Sequence, residues 1–181
     1  MASEDLWLSD AIQVCSPNYN ARPQGSNIDL LVIHNISLPP GEFGGKFVEA
    51  FFCNQLDIGC HPYFDTIKDL RVSAHLLIER TGRLVQFVPL NQRAWHAGMS
   101  VFEERESCND FSIGIELEGT DDVPYTKKQY HQLASVTKQI MTFFPKITDK
   151  RIVGHADIAP GRKTDPGPSF DWPRYRQLIT T

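Results

Sequence analysis

Short apolar runs along the chain predict several β-strands. The segment DLLVIHN at 29–35 is apolar through most of its length, which is typical of a strand covered on both faces. The segments VSAHLLIE at 72–79 and RLVQFVPL at 83–90 flank turn residues at 80–82, and this arrangement predicts a β-hairpin. RIVGH at 151–155 predicts one more short strand.

The segment FSIGIELE at 111–118 alternates between apolar residues and small or acidic ones. Its apolar positions fall on one face of the predicted strand, namely Phe111, Ile113, Ile115 and Leu117. The opposite face carries Ser112, Gly114, Glu116 and Glu118. This strand therefore offers one face to a core and presents two carboxylates on the other.

Helical patterns are fewer than strand patterns. FGGKFVEAFFCNQ at 43–55 predicts a short helix or a helical loop. A longer helix is predicted to begin at Thr126, with Gln129 three residues on as in a capping box, and to end at Pro145. A last short helix is predicted after Phe170. Together the elements predict an α/β fold, a central mixed β-sheet flanked by helices, as a single domain over all 181 residues.

Composition and charge narrow the possible partners. The formal net charge is −4 and no cluster of Lys and Arg forms a basic stripe, so we expect no nucleic-acid partner. No apolar stretch is long enough to cross a membrane. The N-terminal sequence MASEDLWLSD lacks the basic and apolar regions of a signal peptide. We therefore expect a soluble cytoplasmic protein with no membrane partner.

The four cysteines are expected to be free, partly buried thiols. Cys53 and Cys60 are too widely spaced for a zinc knuckle, and Cys15 and Cys108 are farther from any other cysteine. A disulfide framework is not expected in a protein without an export signal.

The segment GHADIAPGRKTDPG at 154–167 combines chemically active side chains with bends. Its glycines and prolines break any helical period, so it is predicted to be a loop that holds His155, Lys163 and Asp165 close together. His34 ends the most apolar strand, and His155 ends another. Two imidazoles, one carboxylate and a water molecule form a known catalytic zinc site. Taken singly, each residue also fits a strand-end histidine, a turn-forming Asp or a solvated Lys.

Glu116 adds weight to this pattern. Gly114 and Ser112 precede it on the same face, and such small neighbours leave space around a carboxylate, as the floor of a cleft requires. The alternative, an ordinary exposed strand residue, fits Glu118 at least as well as Glu116, and periodicity does not separate the two.

Three of the other histidines are predicted to have no part in the chemistry. His75 lies within a predicted strand and is expected to make a structural hydrogen bond, while His61 and His131 have no nominated partner. His96 follows Trp95 on a predicted loop and is a candidate for the lining of a ligand cleft.

Five segments in this order resemble the zinc-dependent N-acetylmuramyl-L-alanine amidases: LLVIHNIS, SAHLLIERTGRLVQFVP, RAWHAG, NDFSIGIELEG and GHADIAPGRKTDPGP. The resemblance extends from Leu6 to Trp172 and is nearest to the cytoplasmic branch, which acts on anhydro-muramyl peptides during cell-wall recycling. It implies a mixed β-sheet flanked by helices, with zinc in an open groove.

The resemblance also implies roles for individual residues. The zinc ligands would be His34, His155 and Asp165, and one Zn²⁺ would bind per chain. Glu116 would be the general base, and Lys163 would stabilise the oxyanion. Substrate contacts are implied for Asn35, Arg71 and Trp95. The substrates would be soluble anhydro-muramyl peptides, cut at the amide between the lactyl group and L-alanine. A monomer is expected.

Two departures from the wider superfamily favour the cytoplasmic branch. Many phage amidases and peptidoglycan recognition proteins carry a catalytic tyrosine where this chain has Ala74, so Glu116 would take over that role. Their third ligand is often cysteine, and here it is Asp165. The alternatives are an amidase acting on intact murein outside the cytoplasm and a non-catalytic peptidoglycan-binding module of the same fold.

Overall fold

The strands form one six-stranded sheet and two short ribbons. The computed structural model describes residues 4–181. Its strands are β1 (Ile12–Gln13), β2 (Tyr19–Asn20), β3 (Leu30–Ile36), β4 (Leu76–Ile78), β5 (Leu84–Gln86), β6 (Arg93–Ala94), β7 (Val101–Phe102), β8 (Arg105–Glu106), β9 (Ser112–Glu118) and β10 (Ile152–Gly154).

The helices surround this sheet. The α-helices are α1 (Phe47–Phe52), α2 (Pro62–Asp65), α3 (Lys127–Phe143), α4 (His155–Ile158) and α5 (Trp172–Thr180). Turns of 3₁₀-helix lie at Ile58–Cys60, Cys108–Asp110 and Asp149–Arg151. None of the helices described is long and apolar enough to cross a membrane.

The sheet order is β1-β5-β4-β9-β3-β10, and the sheet is mixed. β4 and β5 pair antiparallel as the predicted hairpin, whereas β4, β3 and β10 run parallel to β9 or to one another. The predicted fold class is confirmed. β4 and β5 are shorter than their apolar runs, because residues 73–75 and 87–90 lie beyond the paired strands while remaining buried.

The core lies against one face of the sheet. Residues Leu31 and Ile33 of β3 pack there with Ile113 and Ile115 of β9, against α3 and α5. Leu30 and Val32, which alternate with them along β3, pack on the opposite face. The prediction of a strand covered on both faces is confirmed for β3.

The second face of β9 is also covered, which its alternating pattern did not predict. Every residue from Ser112 to Glu118 is buried. Loops that include Ala97 and Cys108 pack over this face. The polar side chains of β9 therefore point into a protein-lined space and not into bulk water.

Helix α3 begins as its sequence predicts. The Thr126 hydroxyl accepts from Gln129 N–H at 3.1 Å, and the Gln129 side chain accepts from Thr126 N–H at 3.0 Å. This reciprocal capping box satisfies two backbone donors at the helix start. The helix ends at Phe143, two residues before Pro145.

The cysteines are free thiols, as predicted. Cys108 is buried and Cys53 is half-buried, but Cys15 and Cys60 are exposed. Partial burial was therefore wrong for the last two, since Cys15 lies on a surface loop and Cys60 ends an exposed 3₁₀ turn.

Candidate metal centre and active-site groove

The side chains of His34, His155 and Asp165 meet at one point beside the sheet. The Nδ1 atoms of the two imidazoles lie 2.9 Å apart. Asp165 Oδ2 lies 3.2 Å from His34 Nδ1 and 3.0 Å from His155 Nδ1. The two histidine side chains are buried and that of Asp165 is 13% exposed, and their ligand atoms lie within 4.8 Å of one another. The structure thus brings together the three predicted metal ligands.

The hydrogen positions in this cluster suit a cation. His155 Nε2 lies 3.1 Å from the Ala97 carbonyl oxygen, which only accepts, so a neutral His155 carries its hydrogen on Nε2. Its Nδ1 then has a lone pair directed at Asp165 Oδ2, another acceptor. Two acceptors at 3.0 Å repel unless positive charge lies between them. The donor set of two imidazoles and a carboxylate fits a zinc ion.

Local electrostatics keep the ligands in their metal-binding forms. Burial lowers the pKa of His34 to about 4, so this imidazole is neutral near pH 7. An ionised carboxylate and neutral imidazoles are the forms that coordinate metals.

A backbone reversal brings Asp165 back to His155. After α4 the Lys163 N–H donates to the Ala159 carbonyl oxygen at 3.0 Å. The Ala156 N–H donates to the Asp165 carbonyl oxygen at 2.9 Å. The predicted loop with fixed bends is confirmed, with one helical turn at its start.

Glu116 lies beside the cluster. It is paired in register with His34, because β9 and β3 are parallel neighbours. Its side chain is buried, and its Oε2 atom has no hydrogen-bond partner. Burial raises the pKa of Glu116 well above its usual value, and the charge of Asp165 raises it further, while Lys163 opposes them. A buried carboxyl oxygen without a partner costs stability, which is typical of a functional residue.

An open groove of about 370 Å³ passes over the cluster and Glu116. Its volume is in the range of small-molecule sites, roughly 300–1,000 Å³. One wall is largely apolar and comes from α1, α2 and the segment after them, with Phe51, Phe52, Tyr63, Ile67, Leu70 and Val72. No sequence pattern predicted this wall, because these positions are distant from every chemical motif and carry no polar signal.

Three further predicted residues border the groove. Lys163 is exposed at its edge, and Asn35 and Trp95 line it. The Asn35 side-chain amide donates to Asp121 Oδ1 at 2.9 Å. The Trp95 indole N–H donates to Asn20 Oδ1 at 2.8 Å, which fixes the plane of its ring.

Arg71 lies outside this groove. Its guanidinium donates to the carbonyl oxygens of Lys68 and Leu70, and it lines a separate cavity of about 60 Å³. Leu70 and Phe51 border both spaces, so the two are neighbours on the surface.

The imidazole ring of His96 fills the space beside Gly114. A Cβ atom at position 114 would lie 2.4 Å from His96 Cγ, so the imidazole rests directly on the glycine backbone. Gly114 therefore does not leave room for the Glu116 carboxylate, and that prediction was wrong, because a ring from a distant loop fills the space. His96 does line the groove, as predicted.

His75 has the structural role that was expected of it. Its Nδ1 accepts from Gly114 N–H at 3.0 Å, and its Nε2 lies 3.1 Å from the Gln92 carbonyl oxygen. Arg22, which also lies against His75 Nε2 at 3.1 Å, was missed, because no sequence pattern around it marks a half-buried cation.

Glu118 is buried and bonded, not solvated. Its Oε1 atom accepts from Gly44 N–H at 2.5 Å, and its Oε2 atom accepts from Arg80 N–H at 3.0 Å. Both oxygens are therefore engaged with backbone, in contrast to those of Glu116. The reading of Glu118 as an exposed strand residue was wrong, since loops from two sides cover the end of β9.

A mixed sheet that carries a three-ligand cluster and an unpartnered carboxyl in an open groove is typical of a metal-dependent hydrolase. A model of the family described as N-acetylmuramoyl-L-alanine amidase matches residues 24–168. This chain belongs to the N-acetylmuramoyl-L-alanine amidase family, as the sequence resemblance predicted.

Individual relatives agree with this assignment. The 1,6-anhydro-N-acetylmuramyl-L-alanine amidase AmpD of Citrobacter freundii is 57% identical over 180 residues, 99% of this chain and 96% of the relative. The crystal structure of a selenomethionine derivative of AmpD has a TM-score of 0.94, 57% identity and 99% coverage of both chains. The E. coli amidase AmiD, in complex with the substrate anhydro-N-acetylmuramic acid-L-Ala-D-γ-Glu-L-Lys, has a TM-score of 0.61 and 31% identity, and covers 87% of this chain and 60% of its own.

The two glutamates of β9 should respond differently to loss of the side chain. We expect Glu118→Ala to lower the free energy of unfolding by about 1–3 kcal/mol, because it leaves two backbone N–H groups without their acceptor. Glu118→Gln keeps one acceptor oxygen and should lose less. Urea denaturation followed by circular dichroism measures both variants. An alanine variant as stable as the wild type would mean that water already satisfies these two N–H groups.

Proposed function

We propose that this chain is a zinc-dependent amidase that hydrolyses the amide bond between the lactyl group of 1,6-anhydro-N-acetylmuramic acid and L-alanine. Its substrates are soluble peptidoglycan fragments, and its reaction serves cell-wall recycling in the cytoplasm. The observation that carries the proposal is the convergence of three metal ligands and the unpartnered Glu116 carboxyl in one open groove. The names of AmpD and of the AmiD substrate support the choice of bond.

His34, His155 and Asp165 would hold the zinc ion. Three protein ligands leave one coordination position open, as in catalytic sites, whereas structural zinc sites use four protein ligands. When bound, zinc supplies a Lewis acid that lowers the pKa of water and polarises a carbonyl group.

Glu116 is the general base in this proposal. Its carboxylate accepts a proton from the water molecule that attacks the amide carbon, and then delivers that proton to the departing nitrogen of L-alanine. A C–O bond forms, the C–N bond breaks, and the proton passes from water to the amine. Glu116 lines the groove, and its Oε2 atom has no hydrogen bond to the protein that would compete with the transfer.

Lys163 and the groove walls bind the rest of the substrate. The Lys163 ammonium group at the groove edge offsets negative charge that develops on the former carbonyl oxygen. The ring of Trp95 and the amide of Asn35 contact the muramyl peptide. Arg71 contacts a part of the substrate that extends beyond the groove, because Leu70 borders both the groove and the cavity of Arg71.

We expect the purified protein to hold about one zinc ion per chain and to release free peptide from anhydro-muramyl peptides. A strong chelator should abolish hydrolysis, and added zinc should restore it. Elemental analysis measures the zinc content, and chromatography of the products measures hydrolysis.

Full hydrolysis by metal-free protein would contradict the role of zinc. Binding without cleavage would favour the non-catalytic module, and equal rates on intact sacculi would favour a murein amidase. Cell fractionation tests the cytoplasmic location.

Glu116→Gln should lose roughly 10²–10⁴ in kcat, the range typical of a positioned proton-transfer group. The variant should remain as stable as the wild type, because glutamine removes a carboxyl group that has an unpartnered buried oxygen. Zinc content should not change, since Glu116 is not a ligand. Steady-state kinetics and urea denaturation test these expectations together. A fully active Glu116→Gln enzyme would remove Glu116 from the mechanism.

Lys163→Ala should lower kcat by roughly 10²–10³, the usual cost of losing one oxyanion-stabilising group. Lys163→Arg keeps the positive charge and is the matched control, expected to retain more activity than the alanine variant. Both variants should hold zinc normally, because an ammonium group does not coordinate metal. An unchanged kcat in Lys163→Ala would identify Lys163 as an ordinary solvated charge.

A further inference from the structure

We propose that His96 is a positioning residue of the metal site, which holds His34 in the tautomer and orientation that present Nδ1 to the ion. The carbonyl group of the next residue, Ala97, holds His155 in the corresponding tautomer and orientation. The inference rests on the proposed function in one respect, that the cluster binds zinc. It adds a role for the RAWHAG loop, residues 93–98, which lies outside the ligand set.

A directional chain of hydrogen bonds leads from a backbone carbonyl to His34. The Cys108 carbonyl oxygen can only accept, so the Ser112 hydroxyl, 2.5 Å away, donates to it. Ser112 Oγ is then free to accept from His96 Nε2–H at 3.1 Å. With its hydrogen on Nε2, a neutral His96 has a lone pair on Nδ1. That lone pair accepts from His34 Nε2–H at 2.9 Å.

The consequence for His34 follows from this direction. A neutral imidazole with its hydrogen on Nε2 carries its lone pair on Nδ1, and Nδ1 is the atom that faces His155 and Asp165. These hydrogen bonds therefore stabilise the metal-binding tautomer of His34 in the metal-free protein. For metal-bound histidine, such outer hydrogen bonds also raise the basicity of the ligand nitrogen.

The second ligand depends on the next residue of the same loop. His155 Nε2 lies 3.1 Å from the Ala97 carbonyl oxygen, which thus fixes its tautomer. The Arg162 guanidinium also donates to this oxygen, at 2.7 Å, and to the Met99 carbonyl oxygen at 2.6 Å. Two adjacent residues of one loop thereby control both imidazole ligands.

The loop is itself held in place. Asn109 Oδ1 accepts from the N–H groups of both His96 and Ala97, at 3.1 and 2.8 Å. The His96 ring rests on Gly114, where any Cβ atom would collide with it at 2.4 Å. The contact with Gly114, which no other residue type would allow, and the two hydrogen bonds from the backbone to Asn109 hold the His96 ring in one position.

These contacts distinguish a positioning role from a substrate contact. His96 lines the groove, but both of its ring nitrogens are engaged with protein, by His34 and Ser112. It therefore has no free polar atom to offer a substrate. Its loss should act on the metal site first.

The test compares His96→Leu, which removes the acceptor, with His96→Asn, whose Oδ1 atom occupies the position of Nδ1 and can still accept from His34. Zinc affinity is measured by competition with a chromophoric chelator, using folded, metal-free protein. We expect His96→Leu to bind zinc about 10–100-fold more weakly than the wild type, the usual effect of losing an outer partner of a ligand. His96→Asn should recover most of that loss. The visible spectrum of the cobalt-substituted protein should change in the leucine variant and not in the asparagine variant.

His75→Leu is the control for the loss of a buried histidine. Its ring lies 5.6 Å from that of His96 and makes no hydrogen bond to a ligand. This variant should keep its zinc affinity even if its fold is less stable. The inference is overturned if His96→Leu and His96→Asn bind zinc equally well, or if His75→Leu weakens zinc binding as much as His96→Leu does.

A metal-free measurement separates this inference from the proposed function. The ring N–H of His34 should exchange slowly with solvent in the metal-free wild type and faster in His96→Leu, as followed by ¹⁵N NMR. A wild-type protein that binds no zinc but shows this difference would contradict the proposed function alone. A protein that binds zinc with no such difference would contradict the role of His96 alone.

Discussion

The convergence of three lone pairs on one buried point is the constraint on which the rest of the site depends. The inner atoms of His34, His155 and Asp165 lie 2.9–3.2 Å apart, where acceptors repel unless a cation lies among them. Buried polar atoms are costly without partners. The Nε2 atoms of both imidazoles have such partners in one loop: the His96 ring for His34 and the Ala97 carbonyl group for His155.

Parallel strand pairing explains why the cluster forms where it does. β9, β3 and β10 are adjacent and parallel, so their carboxyl ends meet at the same edge of the sheet. His34 lies near the end of β3, Glu116 lies opposite it in β9, and His155 follows the end of β10. Ligand sites of open α/β sheets commonly lie outside this edge. One topological feature thus gathers residues separated by more than a hundred positions.

Glu116 and Glu118 show how stability and function divide along a single strand. Both side chains point to the same face and both are buried. The oxygens of Glu118 bind two backbone N–H groups and join surface loops to the sheet, whereas Glu116 lines the groove and its Oε2 atom has no hydrogen-bond partner. The Glu118 carboxylate stabilises the fold. The Glu116 carboxylate costs stability and remains available for chemistry, the compromise expected at an active site.

Local patterns in the sequence determined the strands, the capped helix α3 and, through motif resemblance, the candidate ligands, because periodicity, turn chemistry and spacing act over a few residues. They could not separate Glu116 from Glu118, since alternation assigns a face and not the loop that covers it. They also wrongly predicted free space beside Gly114, which the ring of His96, 18 positions earlier in the chain, fills. The apolar groove wall, the location of Arg71 and the seat of His96 were decided only by tertiary structure. Each depends on which distant segments pack together, and no local pattern encodes that.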